Sequence, residues 1–239
     1  MIPRTIHYCW FGGPLTEAAE ACIASWHRHM PDWDYRLWNE ETFDVDSVRY
    51  TREAYAAGKY AFVSDYVRLW ALQEEGGVYL DTDVEVLRPL DTLLDYNAFA
   101  GFEGSKHLPV GTCVIASAPQ GAWVTEMLAL YDGLPFLRPD GSADLTTNVQ
   151  RLTAAMTAGG FRANGEEQDY KDLHIFPVDW FSPRHTTGEY LATDNTYCDH
   201  HGLGSWGGKP KGWKQHLRRL VGQRVMTLLI KTKRRLTKW

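Results

Sequence analysis

The chain has 239 residues, of which 44% are hydrophobic and 13% aromatic, so it can bury a sizeable core, and disorder throughout is excluded. It contains no run of about 18 uninterrupted apolar residues, which argues against a transmembrane helix. The formal net charge is −5, but residues 209–239 contain 11 Lys or Arg residues and no acidic residue, against 14 basic and 30 acidic residues elsewhere. This asymmetry predicts an acidic body, with no nucleic-acid partner, and a basic tail that meets an anionic surface.

The compartment follows from the N-terminal residues and the cysteines. The chain starts without the basic stretch and apolar segment of a secretory signal. Cys9, Cys22, Cys113 and Cys198 have no CxxC spacing, so neither a zinc knuckle nor a disulfide framework is indicated. We therefore expect a reducing, cytoplasmic environment.

The first third of the chain predicts the order β-α-β-α-β. Strands are expected over residues 2–8 and 34–38, with a helix capped by Thr16 over residues 16–30 between them. A second helix over residues 63–75 ends at the pair Gly76-Gly77, and a buried strand follows immediately. This order is typical of an open, mostly parallel α/β sheet with flanking helices.

The remaining elements extend the same fold. We expect strands over residues 98–102 and 111–117, helices over 122–131 and 147–158, and short strands and loops over 161–207. The charge composition changes near Gly207-Gly208, which predicts one domain over residues 1–208 and a separate tail over 209–239. In the tail, apolar residues recur on one helical face but two basic residues interrupt it, so either an amphipathic membrane-surface helix or a disordered solubilising segment is possible.

The most informative motif is the segment Gly77-Val78-Tyr79-Leu80 followed by Asp81-Thr82-Asp83. Side chains alternate along a strand, so the two carboxylates at i and i+2 are expected to point the same way at the mouth of the sheet. Paired anionic oxygens there suit Mn²⁺ or Mg²⁺, and such a cation usually holds a phosphate-bearing substrate. The motif predicts that Asp81 and Asp83 bind a metal.

Two further motifs precede this strand in the sequence. His7, Tyr8 and Trp10 lead into Gly12-Gly13, where the backbone can approach a ligand closely and Trp10 can stack on a nucleobase, although a core Trp beside a structural turn is an equally plausible interpretation. Asp65 and Arg68 are one helical turn apart, so they form either a surface ion pair or two polar anchors for sugar hydroxyls and phosphate.

Three more candidate groups come later in the chain. The loop after residue 200 contains His200, His201, Ser205 and Trp206, and an imidazole from it can complete a metal site begun by Asp83. Glu103 follows a predicted strand, and Asn148 lies at a predicted helix start. Either residue can reach a reacting sugar, but a solvated carboxylate and a helix cap are their ordinary interpretations.

Taken together, the motifs resemble glycosyltransferase family 32, and the glucosylating bacterial toxins share the same pattern. The resemblance extends over residues 2–208, and its motifs begin at Ile6-His7, Ser64-Asp65, Gly76-Gly77 and Ser205-Trp206. It implies a GT-A fold with a Rossmann-like central sheet, a nucleotide-sugar donor, Mn²⁺ or Mg²⁺, and retention of the anomeric configuration. The tail lies outside the shared pattern.

The resemblance also implies roles for individual residues. Trp10 would stack on the base, while Asp65 and Arg68 would hold the donor sugar. Asp81 would contact ribose or metal, and Asp83 would ligate the metal. In related enzymes a closing loop supplies a further metal ligand and a Trp near the leaving diphosphate; here we predict His201, with His200 as the alternative, and Trp206 beside Ser205.

The predicted function is a retaining, metal-dependent hexosyltransferase that uses a uridine diphosphate sugar (UDP-sugar). Its acceptor is expected to be a glycan or a lipid-linked glycan in surface or capsular polysaccharide synthesis, reached from the inner membrane face through residues 209–239. Two alternatives are a haloacid-dehalogenase-like phosphatase, with Asp81 as nucleophile, and an inactive glycan-binding or membrane-scaffold protein. The phosphatase lacks support because no later Gly-Asp-x-x-x-Asp pair is present.

Overall fold

A computed structural model describes residues 1–104, 109–184 and 189–203. Within them the order of elements is β1 (Thr5–Cys9), α1 (Glu17–His29), β2 (Asp34–Trp38), α2 (Arg49–Ala56), α3 (Tyr60–Glu75), β3 (Gly77–Leu80), β4 (Val84–Val86), β5 (Ala98–Phe102), β6 (Val110–Ser117), α4 (Ala122–Ala129), α5 (Asn148–Ala158), β7 (Gln168–Tyr170), β8 (Leu173–Phe176) and β9 (Cys198–His200). The predicted tail over residues 209–239 and the predicted contacts of Ser205 and Trp206 lie outside the described residues.

Seven of these strands form one sheet in the order β2-β1-β3-β6-β5-β8-β7. The pairs β1–β2, β1–β3 and β5–β8 are parallel, whereas β6 is antiparallel to both β3 and β5, and β7 is antiparallel to β8. Five strands of this sheet therefore point in one direction, and β6 and β7 point in the other. The predicted α/β fold with a central sheet and flanking helices is confirmed.

Alternating side chains divide the core into two layers. In β3, Tyr79 packs into the cluster that contains residues of α2, α3, α4 and α5, while Val78 and Leu80 pack into the cluster on the opposite face with Trp26 of α1. All three residues are at most 1% exposed. The period-two pattern of a strand buried on both faces explains the continuous apolar run before the paired aspartates.

Three helix ends follow local capping chemistry. Thr16 accepts a hydrogen bond from the Ala19 amide at the start of α1, as predicted. Thr147 and Gln150 form a capping box at the start of α5. Gly76 ends α3 with a φ of 65°, where an added Cβ would lie 2.7 Å from the Pro119 nitrogen, so glycine is required there.

The boundaries differ from the sequence prediction at α2 and α3. Helix α2 was not predicted, and α3 starts at Tyr60 rather than at residue 63. No side-chain hydrogen bond caps either helix, at Val48 or at Lys59, so the usual sequence signal for a helix start is missing from both. No helix in the described residues combines the length and hydrophobicity needed to cross a bilayer.

Candidate active site

A cavity of about 710 Å³ lies where the carboxyl ends of β1, β3 and β5 meet. Trp10 follows β1, Asp81 and Asp83 follow β3, and Glu103 follows β5. Because β6 runs in the opposite direction, Thr112 near its beginning reaches the same edge. Ligands of open α/β sheets bind outside the carboxyl ends of the strands, so the topology brings these polar side chains to the expected place.

Asp65 and Arg68 form a buried ion pair on α3, with 3.1 Å between Oδ1 and Nη2. They are 6% and 5% exposed, which decides against the alternative of a surface pair. Burial raises the pKa of Asp65 to about 6, although the Arg68 charge and the Asn148 amide lower it. Both side chains line the cavity, so the predicted pair of polar anchors is in position.

Arg68 connects three elements through its planar guanidinium. Nη2 lies 3.2 Å from Asp81 Oδ1, Nη1 donates to the Thr112 carbonyl at 2.8 Å, and Nε donates to the Ser64 carbonyl at 3.2 Å. The guanidinium also lies over the Tyr79 ring, 4.5 Å from its centre. The pKa of Arg68 is held well above its usual value because nearby Asp81, Tyr79 and Asp65 outweigh the opposing effect of burial. It is therefore a permanent, rigid cation beneath the cavity.

Tyr79 and Thr112 are site residues that the sequence analysis missed. The Tyr79 hydroxyl donates to Asp81 Oδ1 at 3.0 Å, and Arg68 Nη1 lies 3.2 Å from Thr112 Oγ1. Tyr79 looked like an ordinary core aromatic in a strand. The signal for Thr112 was a hydroxyl side chain in a strand that is apolar apart from Thr112 and Ser117, and such a side chain indicates a polar partner only when its surroundings are known.

Asn148 holds Asp65 from the start of α5. Its backbone N–H donates to Asp65 Oδ2 at 3.0 Å, and its Nδ2 donates to the Asp65 carbonyl at 3.2 Å. The partial positive charge of a helix N-terminus also favours a carboxylate at this position. Asn148 is 1% exposed but lines the cavity, so the structure shows a positioning contact to Asp65 and leaves the predicted contact with a sugar as a prediction.

His200, rather than His201, joins the paired aspartates. His200 Nε2 lies 3.3 Å from Asp83 Oδ1, whereas His201 Nε2 bonds Glu85 Oε2 at 3.0 Å. The cause is the antiparallel pairing of β9 with β4, which places Val84 opposite His200. The prediction of His201 as the metal ligand is thus corrected to the alternative, His200.

Asp83 is held in its charged form. Burial would raise its pKa, but hydrogen bonds from His200 and from the Leu203 amide, at 2.8 Å, outweigh burial and lower it. Burial opposes a charge on His200, yet neighbouring Cys113 and Asp83 raise its pKa well above the usual value. Without a metal, the pair is therefore a carboxylate beside an imidazolium at neutral pH, and the imidazolium must lose its proton before it can ligate a cation.

The donor set fits a divalent cation. Asp81, Asp83 and His200 each offer one ligand atom, and these atoms lie within 4.8 Å of one another. Two carboxylate oxygens and one imidazole nitrogen suit Mn²⁺, and also Mg²⁺ if water completes the coordination. The prediction that Asp81 and Asp83 lie together at the mouth of the sheet agrees with this geometry.

Glu103 lines the cavity, and its carboxylate has no hydrogen-bond partner among the described residues. Burial raises its pKa to about 7, with the charge of Asp81 adding to the shift and His200 opposing it. A carboxyl group in this condition can bond a ligand hydroxyl in either protonation state.

His7 and Tyr8 do not line the cavity, which corrects their prediction as ligand contacts. His7 is fully buried, and its Nε2 must donate to the Gly76 carbonyl at 2.7 Å, so Nδ1 accepts from Trp38 Nε1 at 3.1 Å. Burial lowers the pKa of His7, in keeping with this neutral structural role. Tyr8 packs edge-on against Trp26 on the other face of the sheet.

Trp10, in contrast, lies in the cavity wall. Its Nε1 donates to the Gly13 carbonyl at 2.9 Å, which fixes the ring while leaving it half-buried. The Gly12 amide donates to Glu40 Oε1 at 2.8 Å, so the loop is tied down on both sides of Phe11. An aromatic face held this way is suited to stacking on a planar ligand.

Part of the chain matches a known protein family. Residues 16–100, which include Asp65, Arg68, Asp81 and Asp83, match the model of the glycosyltransferase sugar-binding region containing a DXD motif. The matched residues make up just over a third of the chain. The resemblance predicted from the motifs is therefore confirmed. The matched segment includes residues that line the cavity.

Two curated proteins that are similar to part of this chain come from fungi. Inositol phosphoceramide mannosyltransferase 3 of Schizosaccharomyces pombe is 35% identical over 106 residues, which is 41% of this chain and 29% of that protein. Glucan organizing enzyme 1 of Cryptococcus neoformans var. grubii is 36% identical over 81 residues, 30% of this chain and 22% of that protein. The matched region spans less than a third of either relative.

Among solved structures, the apo form of mouse xyloside xylosyltransferase 1 aligns with a TM-score of 0.51 and 10% identity, covering 83% of this chain and 97% of that one. At this identity the likeness concerns the fold alone. It confirms the predicted GT-A architecture.

Proposed function

We propose that the chain is a metal-dependent glycosyltransferase that moves a hexose from a nucleotide sugar, and specifically a UDP-sugar, to a glycan or lipid-linked glycan. The convergence of Asp81, Asp83 and His200 at the cavity, directly beside the Asp65–Arg68 pair, supports this proposal most strongly. The match of residues 16–100 to the sugar-binding region supports the glycosyl chemistry, while the size of the cavity and its polar side chains suit a nucleotide with an attached sugar.

In this proposal, different cavity residues bind different parts of the nucleotide sugar. Trp10 stacks on the base, and Asp65 and Arg68 bond the hydroxyls of the donor sugar. Asp81, Asp83 and His200 hold Mn²⁺ or Mg²⁺, which when bound neutralises negative charge on the diphosphate. Ser205 and Trp206 remain proposed contacts of the leaving diphosphate.

The proposed transfer retains the anomeric configuration by front-face substitution. The bond between the anomeric carbon and the diphosphate oxygen breaks, its electron pair leaves with the diphosphate, and the acceptor oxygen bonds the same face of that carbon. The acceptor proton passes to the departing phosphate oxygen. Glu103 and Asn148 are proposed to orient hydroxyl groups rather than to attack the sugar. A covalent glycosyl-enzyme detected by mass spectrometry would contradict this route.

The acceptor and the location are proposed from two observations. Residues 209–239 are strongly basic, which favours attachment to the anionic inner leaflet from the cytoplasmic side. The name of the Schizosaccharomyces pombe relative describes mannosyl transfer to a lipid, so a membrane-bound acceptor is chemically consistent. Synthesis of surface polysaccharide or lipid-linked oligosaccharide is the pathway class proposed.

Calorimetry with a panel of nucleoside diphosphates and nucleotide sugars tests the proposal. We expect Mn²⁺-dependent binding of UDP and one UDP-sugar that EDTA abolishes, and that Asp83→Asn weakens severely. Asp95→Asn, at an exposed position, removes the same charge and should bind normally. Failure of every nucleotide to bind with Mn²⁺ would refute the proposal; hydrolysis of p-nitrophenyl phosphate would then favour the phosphatase, and its absence the glycan-binding or scaffold protein.

A further inference from the structure

A second set of ligand side chains lies next to the proposed catalytic metal site. Glu103 at the end of β5, Cys113 in β6 and His200 at the end of β9 each present one ligand atom, and these atoms lie within 4.8 Å of one another. Cys113 is 3% exposed, and its Sγ contacts Ser182 Oγ at 3.4 Å. Glu103 and His200 line the cavity, so a cation can enter from that side.

The chemistry of this set differs from that of the paired aspartates. A thiolate, an imidazole and a carboxylate are the three ligand types that Zn²⁺ takes in proteins. Mn²⁺ and Mg²⁺ prefer oxygen and gain little from sulfur. The two neighbouring sites should therefore prefer different cations: Zn²⁺ at the set that contains the thiolate, and Mn²⁺ or Mg²⁺ at the paired aspartates.

We propose that Glu103, Cys113 and His200 form a Zn²⁺ site that competes with the Asp81–Asp83 site for His200. A neutral imidazole has one free lone pair, because its other nitrogen carries a proton, so His200 can ligate at only one site at a time. Zn²⁺ binds most nitrogen, oxygen and sulfur sites more tightly than Mn²⁺, so it takes the imidazole even when Mn²⁺ is in excess. The inhibition that follows rests on the proposed transferase function; the binding does not.

A third set of ligand side chains lies nearby, but it is not proposed as a metal site. Glu85, Asp199 and His201 also lie within 4.8 Å of one another. Both oxygens of Asp199, however, are bound by Arg184, at 2.5 and 2.6 Å, and the Tyr190 hydroxyl donates to the same carboxylate at 3.1 Å. The guanidinium takes the place that a cation would need, so this set is an internal ion pair with a histidine beside it.

Co²⁺ is the probe for the proposed site, since it substitutes for Zn²⁺ and reports sulfur ligation by light absorption. The full chain, stripped with EDTA and dialysed, is titrated with Co²⁺. We expect a thiolate-to-cobalt charge-transfer band in the near ultraviolet that Zn²⁺ bleaches and that is absent in Cys113→Ser. Cys22→Ser is the matched control: Cys22 is also buried but belongs to none of the three sets, so the band should persist.

A second variant keeps the proposal open to refutation if Cys113→Ser does not fold. Glu103→Gln should weaken Zn²⁺ binding in competition calorimetry by more than the roughly 10- to 100-fold that loss of an outer-shell partner costs. A wild-type chain without the band, a band that survives in Cys113→Ser, or unchanged Zn²⁺ affinity in Glu103→Gln would each overturn the site.

The inhibitory consequence has its own readout. In saturating Mn²⁺, micromolar Zn²⁺ should suppress donor hydrolysis by the wild type, and Cys113→Ser should resist it. If Co²⁺ shows the band but no nucleotide sugar is ever bound or hydrolysed, the zinc site stands and the transferase function fails. If hydrolysis proceeds and Zn²⁺ inhibits both chains equally, the competition for His200 is refuted.

Discussion

Arg68 and Asp81 are joined by a contact of 3.2 Å between Nη2 and Oδ1, which ties the middle of α3 to the residue that ends the apolar strand β3. Asp81 Oδ1 also accepts from the Tyr79 hydroxyl, so one oxygen of this carboxylate is fixed from below. Asp81, a proposed metal ligand, is therefore oriented by a helix, and hydrogen bonds and ion pairs connect the Asp65–Arg68 pair to the proposed metal site.

Replacing Arg68 should destabilise the fold as well as the site. In Arg68→Met, Asp65 and Asp81 lose their shared cation, and breaking a buried pair in this way costs about 3–5 kcal/mol. Urea unfolding measures the loss. Arg68→Lys keeps the charge but cannot contact four partners at once, so its loss should be smaller but clear.

The matched control is Arg4→Met, because Arg4 pairs with Asp91 through a side chain that is 64% exposed. An exposed pair contributes about 0–1 kcal/mol. Equal losses of stability in Arg4→Met and Arg68→Met would show that burial of the Arg68 pair has no special weight.

The loop after β1 offers a test of Trp10 through its glycines. Gly12 has a φ of 82°, and an added Cβ would lie 2.0 Å from Tyr60 Cε2, whereas Gly13, with a φ of 128°, has no atom within 4 Å of that position. Gly12→Ala must therefore move either Tyr60, which lines the cavity, or the loop that contains Trp10. We expect UDP affinity to fall at least tenfold in Gly12→Ala.

Gly13→Ala is the control, since it brings comparable backbone strain without the clash. Calorimetry and thermal unfolding of both variants separate the two effects. Equal UDP affinities at equal stability would show that the loop does not position a nucleotide contact.

The pH dependence of stability should report Glu103. Its folded pKa of about 7 exceeds its ordinary value of 4.5, so between those values the folded state holds a proton that the unfolded state has lost. Stability contributed by this group therefore falls as pH rises from about 4.5 to about 7, by up to about 1.4 kcal/mol per pH unit.

The measurement is urea unfolding in EDTA across that pH range for the wild type and Glu103→Gln. The free energy of unfolding of the wild type should fall relative to that of Glu103→Gln as the pH rises. Glu41→Gln, at an exposed position, should show the same pH dependence as the wild type. A difference that is flat with pH would contradict the burial of this carboxyl group.

The proposed membrane attachment through residues 209–239 is tested by neutralising part of its charge. Lys233→Gln, Arg234→Gln and Arg235→Gln together remove three charges, each worth about 1 kcal/mol near an anionic surface. Binding to vesicles that contain phosphatidylserine should fall about a hundredfold, and donor hydrolysis should stay intact. Deleting residues 209–239 should abolish vesicle binding. Unchanged binding would show that this segment does not attach the protein to membranes.

Local signals were enough to predict much of this molecule. The apolar run before Asp81, the cap at Thr16 and the glycine pair after α3 each act within a few residues, and the structure has the elements they predict. The choice between His200 and His201 could not be made locally, because it depends on which residue of β9 faces Val84 of β4. Thr112 and Tyr79 escaped notice for a similar reason: their partner, Arg68, comes from a separate helix.

The pairing of β4 with β9 also bears on how the protein is made. Leu203 donates to Asp83 across 120 positions of sequence, and His201 bonds Glu85 across 116. A chain emerging from the ribosome therefore presents its two aspartates long before the imidazole that accompanies them has been synthesised. Until then a growing chain lacks one of the three proposed ligands, so a cation and a nucleotide-sugar donor are expected to associate with it only weakly.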